Sequence, residues 1–137
     1  MGTVYADIIL TNAGDRTSVQ RGLIKEPEMR RTTVTAIVDT GAATLFITDA
    51  VCQQLGLITE GERSARTANG ARVACKVTEP VDIQWKERST SCRAIVMPGA
   101  ETILLGAIPL EDMDLIINPA KQSLEGAHGD EIVALAL

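Results

Sequence analysis

Aromatic residues are almost missing from this chain: Tyr5, Phe46 and Trp85 are the only three. The core must therefore be aliphatic, built from Val, Ile, Leu and Ala. Base stacking on single-stranded nucleic acid has no platform to use. Positive charge is in deficit as well. A net charge of −5 supplies no basic stripe for a phosphate backbone. Both shortages argue against nucleic acid as a partner. Histidine is reduced to His128 alone, and Cys52, Cys75 and Cys92 fall at unrelated spacings. That set makes no zinc pattern. It reads as three small buried or half-buried thiols in a reducing compartment. No apolar run approaches the length of a membrane span. The N-terminus lacks the basic region and apolar stretch of a secretory leader. These absences predict a cytoplasmic protein with no cofactor, no metal and no membrane partner. The remaining composition, 45% apolar and 23% charged over 137 residues, predicts one globular domain over residues 1–137. Such a chain buries roughly two-thirds of its unfolded surface.

One stretch stands out against that background. A β-branched run, Thr32-Thr33-Val34-Thr35-Ala36-Ile37-Val38, reads as a buried strand. It ends on a carboxylate, Asp39. Thr40 and Gly41 then predict a tight turn, with Gly41 opening backbone conformations closed to other residues. Ala42 and Ala43 keep the turn narrow, and Leu45-Phe46-Ile47 returns to the interior. An Asp between two apolar strands is costly to bury as a charge unless it is hydrogen-bonded or paired. A solvated turn would not need the apolar flanks. A metal site at Asp39 is a poor reading, because no cluster of ligands accompanies it.

The rest of the chain reads as short strands separated by turn signals. Val4 to Leu10 is a first strand, Asn12-Ala13-Gly14-Asp15 a turn, and Arg16 to Ile24 a returning strand with Val19 and Leu23 inward. Lys25 to Arg31, interrupted by Pro27, is a charged surface loop. Thr48 is a good N-cap, Asp49 suits the positive end of the helix dipole, and Gly56 suits a C-terminal stop. They bracket a helix of about two turns, with Val51 and Leu55 on one face. Glu62–Ala68 and Ala71–Val77 flank Asn69-Gly70, the signal of a type I′ hairpin with positive φ at both positions. Val81–Trp85 and Thr90–Met97 are further strands around the polar turn Lys86–Ser89. Pro109 suits the first turn of a short helix running through Met113. Leu115–Ile117 and Ser123–Gly126 form a last pair of strands around Asn118-Pro119. The apolar end, Ile132–Leu137, needs a partner strand within the chain or across a dimer, since an exposed apolar strand invites aggregation.

Val38-Asp39-Thr40-Gly41-Ala42 resembles the active-site loop of the retropepsin-like single-domain aspartic proteases. A second element similar to that family's lies at Ile103-Leu104-Leu105-Gly106, the segment that packs behind the catalytic loop. Together they cover the chain from about Thr32 to Leu124. The resemblance is closest to the bacterial members, whose Gly is followed by a short apolar turn, here Ala107-Ile108-Pro109-Leu110. Retroviral members carry an Arg directly after that Gly, where it helps tie the dimer. Ala107 stands there instead, so that contact does not carry over.

The resemblance implies an all-β fold, a small closed or nearly closed barrel with one or two short helices. It implies peptide-bond hydrolysis by a carboxylate dyad, with Asp39 catalytic and Thr40, Gly41 and Ala42 completing the loop. The chain holds one such motif, so the second Asp39 would come from the partner in a homodimer. Thr40 would brace the two loops across the axis, and Gly41 would lend backbone groups to substrate and carboxylate. The hairpin tip, Ala68, Asn69, Gly70 and Ala71, would be a flap over a peptide or protein substrate. Read without the family, it is an ordinary hairpin. The competing reading is a non-catalytic peptide-binding or dimerisation module on the same fold.

Overall fold

A computed structural model describes residues 2–137; Met1 lies outside the described residues. Nine strands and three short helices follow in order: β1 Tyr5–Asn12, α1 Ala13–Gln20, β2 Arg31–Val38, β3 Leu45–Ile47, α2 Asp49–Gln54 and β4 Thr59–Arg66. β5 Arg72–Trp85, β6 Arg88–Val96, β7 Ile103–Leu105, α3 Ala107–Asp112, β8 Leu115–Asn118 and β9 Ser123–Gly126 complete them. The strands pair in the order β1-β2-β7-β3-β6-β5, and β5 pairs back with β1 through Leu10↔Ile83 and its neighbours. The ring is therefore closed, an all-β barrel of six strands. Closure leaves β4 outside, hydrogen-bonded to β5 alone. β8 and β9 form a separate two-stranded sheet.

Alternation drives the barrel. Ala6, Ile8 and Leu10 of β1 point inward, while Tyr5 and Asp7 face solvent. Ala36 and Val38, Leu45 and Ile47, Val81 and Ile83, Ala94 and Val96, and Ile103 and Leu105 meet them from the other five strands. The core is aliphatic, as the shortage of aromatics requires. Trp85 packs only against its margin.

Three expectations are corrected. Arg16–Ile24 is not a returning strand, and Asn12–Asp15 is not a turn. Asn12 is the N-cap of helix α1, its side-chain oxygen accepting from Asp15 N–H at 3.1 Å. Asp15 in the first turn is clamped by Arg30, whose Nε and Nη2 donate at 2.8 and 2.9 Å. Residues 16–24 have no apolar alternation to hold a strand, so capping decides, and Leu23 ends exposed. Three helices result, more than the one or two expected, with an added 3-10 turn at Glu26–Glu28.

Glu79-Pro80 does not break the chain into two strands. β5 runs through it, because Pro80 sits at a register shift against β6, where a missing N–H is tolerated. Buried Thr78 makes this possible: its hydroxyl accepts the Ala94 N–H at 3.1 Å and donates to Glu79 O at 2.7 Å. One strand thus serves both the barrel and the outlying ribbon.

Ile132–Leu137 does not find a strand partner within the chain. Ile132, Leu135 and Leu137 are almost wholly exposed.

Candidate active site

β2 and β7 run parallel, with Val38 level with Leu105. The chain therefore delivers Asp39 and Gly106 side by side from the ends of two core strands. Asp39 N–H donates to Leu105 O at 3.0 Å. Beyond Gly106, the amides of Ala107 and Ile108 donate to the carbonyls of Ala42 and Ala43 at 2.8 and 3.0 Å. The loop after Asp39 is thus stitched along its length to the second motif. Gly106 is needed there for room. A Cβ on it would collide with the carbonyl oxygens of Thr44 and Ala42, which are backbone atoms and cannot swing away.

Within the loop, Gly41 N–H donates to Asp39 Oδ1 at 2.9 Å, and Ala42 N–H donates to Asp39 O at 3.1 Å. The carboxylate is half-buried and aimed by its own turn. Gly41 is not in the left-handed region, contrary to expectation. A Cβ there would stand 3.2 Å from Asp39 Oδ1, so its bareness leaves space beside the carboxylate. Thr40 is exposed. Among the described residues its side chain has no hydrogen-bond partner, and Asp39 forms no ion pair.

The hairpin tip differs from the expected two-residue turn. Thr67 N–H donates to Ala71 O, and Gly70 N–H donates to Thr67 O, both at 2.9 Å. Only Gly70 has positive φ, at 81°. The loop is therefore the three-residue kind, Ala68 to Gly70, a tight turn closed by a left-handed glycine. Asn69 acts through its side chain instead, Oδ1 accepting from Ala71 N–H at 3.1 Å and from the Thr67 hydroxyl at 2.6 Å. β4 is exposed at all positions but Ala65, so the ribbon stands off the barrel. Its base is braced by Arg93 on Glu60 at 2.9 Å and by Cys75 against Met97. Among the described residues no hydrogen bond joins Ala68, Asn69, Gly70 or Ala71 to the Asp39 loop.

Among the described residues no group of three or more His, Cys, Asp and Glu side chains is placed to hold a metal. The three cysteines are free. Burial pushes the thiols of Cys52 and Cys92 up, against thiolate chemistry. No helix of the described residues is long and apolar enough to cross a membrane. Two clefts, of about 500 and 720 Å³, lie away from Asp39.

Residues 26–112 match the family described as "gag-polyprotein putative aspartyl protease". That span contains both motifs and the ribbon between them. The chain belongs to this family. Among solved structures, the chain is similar to "EIAV protease complexed with the inhibitor HBY-793". The two are 24% identical, with a TM-score of 0.49, over 81% of this chain and 86% of that one. No curated protein matches the chain. One contribution to the site escaped the sequence. The amides of Ala107 and Ile108 carry no side-chain signal. Thr78, which serves the continuity of β5 and not the site, could have been noticed as a Thr directly before Glu-Pro within an alternating strand.

Proposed function

We infer that this chain is an aspartic endopeptidase of the bacterial type, acting as a homodimer on extended peptide segments of proteins. The observation that carries this reading is Asp39, aimed by Gly41 N–H in a loop that Gly106 and α3 hold rigid. One chain supplies one such carboxylate. A two-fold axis beside Asp39 supplies the second and leaves exposed Thr40 facing its own copy. Two carboxylates in contact cannot both ionise, so they share one proton. The ionised member takes a proton from water as the oxygen attacks the scissile carbonyl carbon. The protonated member gives its proton to the carbonyl oxygen. The tetrahedral diol then collapses, a proton passes to the amide nitrogen, and the C–N bond breaks. The ribbon tip, Ala68 to Ala71, covers the peptide and offers it backbone groups. Ala107 in place of an Arg supports the bacterial assignment, and the three free thiols support a cytoplasmic location.

The deciding experiment is a peptide-library cleavage assay at several pH values beside Asp39→Asn. Cleavage around apolar residues on the acidic side of neutral, lost in the variant and blocked by statine-type mimics, is expected. A library left intact between about pH 4 and 7 by folded dimer would refute the peptidase. The open edge of β4 favours one alternative, a module that holds an extended peptide by strand addition without cutting it. Binding that is insensitive to Asp39→Asn, with no cleavage, would identify it.

A further inference from the structure

The charge of the ribbon runs against that of the chain. The whole protein is acidic, yet the ribbon carries Arg63, Arg66 and Arg72, all exposed. The acids on the ribbon lie toward its base. Glu60 pairs with Arg93, and Glu62 lies directly across from Lys76. Among the described residues no ion pair engages Arg63, Arg66 or Arg72.

Two of the three are set against each other. Arg66 and Arg72 are directly opposed in the β4–β5 register, immediately outside the Thr67–Ala71 loop. Directly opposed residues share a face, and like charges there destabilise the ribbon. Arg63 lies on the other face, level with Cys75 and next to the pair Ala65 and Val73. Cations therefore lie on both faces of the ribbon, Arg66 and Arg72 beside the tip and Arg63 nearer the base. Beside them runs the outer edge of β4, whose backbone groups have no partner strand. An open edge takes an extended polypeptide. Three uncompensated arginines take its carboxylates.

We propose that Arg63, Arg66 and Arg72 make the ribbon a recognition element for acidic polypeptide, so that the segments engaged are apolar stretches flanked by Asp or Glu. The inference rests on the peptidase reading for its consequence, selection among substrates, but its contacts are binding contacts. A protein partner is favoured over nucleic acid because the ribbon offers a strand edge and no aromatic side chain for stacking.

The test uses two labelled peptides with one apolar core, flanked by Glu in the first and by Gln in the second. Binding to the Asp39→Asn chain is followed by fluorescence anisotropy, and cleavage by the wild-type chain as kcat/KM. The Glu-flanked peptide should be favoured about three- to tenfold at low salt, from a few exposed ion pairs. The ratio should fall toward one above roughly 0.3 M salt. In the Arg63→Gln/Arg66→Gln/Arg72→Gln chain it should fall toward one at any salt, whereas the triple Lys variant, equally charged, should keep the preference. A ratio of one for wild type at low salt overturns the proposal, as does a preference that survives the triple Gln change. Equal displacement of the Glu peptide by a single-stranded oligonucleotide overturns it in favour of nucleic acid. Selective binding without any cleavage would sink the peptidase reading and leave this one standing.

Discussion

The amide of Ala107 reaches the carbonyl oxygen of Ala42 across 2.8 Å, and this bond ties the second motif to the first. Gly106 precedes Ala107 directly, and Asp39 is linked to Ala42 through its carbonyl, which accepts the Ala42 N–H at 3.1 Å. The loop's geometry is therefore a property of two distant segments together.

Gly106→Ala should damage that joint. Its methyl would displace the carbonyls of Ala42 and Thr44, a change of the overpacking type that costs roughly 1–3 kcal/mol. Thermal unfolding should show the loss. Turnover per folded molecule should fall further than stability, since the Asp39 loop itself must move. A folded variant with wild-type turnover would show that the close approach is incidental.

Subunit mixing tests the dyad. Wild-type and Asp39→Asn chains in equal amounts, with free exchange, should give about one quarter of dimers with both carboxylates. Activity should fall below the share of wild-type chains. Strict proportionality, or full activity in a chain that stays monomeric, would mean that Asp39 works without a second copy.

Gly70→Val tests the flap. Gly70 has φ of 81° with open space around its Cα, so a valine meets backbone strain and no clash. The strain is about 1–2 kcal/mol and is confined to the tip. Peptide turnover should drop more than melting temperature. If turnover in the folded variant is unaltered, Ala68–Ala71 is only a turn.

Thr78→Val should destabilise the fold by about 1–3 kcal/mol despite its similar shape, because it strands the buried Ala94 N–H. Hydrogen exchange at Ala94 should quicken. Unfolding at the wild-type midpoint would mean that another acceptor replaces the hydroxyl.

Acid should loosen α1 through Asp15. The Arg30 hydrogen bond holds its carboxyl below the usual 3.8, outweighing the opposing effect of burial. A carboxyl with a depressed folded value stabilises above its unfolded value and loses that contribution as pH falls through the folded one. Stability curves should therefore bend downward below about pH 4. Asp15→Asn should remove part of that slope and lower stability near pH 7 by roughly 0.5–1 kcal/mol. An unchanged acid slope in the variant would rule Asp15 out as its source.

Several features were readable because short-range physics decides them. The β-branched run before Asp39 makes β2, Thr48 caps α2 through the Val51 N–H, and Gly56, at φ 59°, ends it. The Asp39–Ala42 turn was legible from its apolar flanks, whereas the Gly106 segment stood out only through its resemblance to the retropepsin-like family. Tertiary structure decided the rest. Asn12 becomes a cap because its amide also reaches Leu55 O, forty-three residues away, and because Arg30 waits for Asp15. Asn69 avoids positive φ because its side chain bridges Thr67 and Ala71, a choice that the dipeptide Asn-Gly leaves open. Pro80 stays inside β5 because Thr78 answers Ala94 on another strand. The joint between Ala42 and Ala107 exists only once β2 and β7 lie side by side. Side-chain periodicity and capping act over a few residues and are written in order along the chain. Backbone hydrogen bonds between segments that closure of the barrel brings together depend on packing, and no local pattern encodes them.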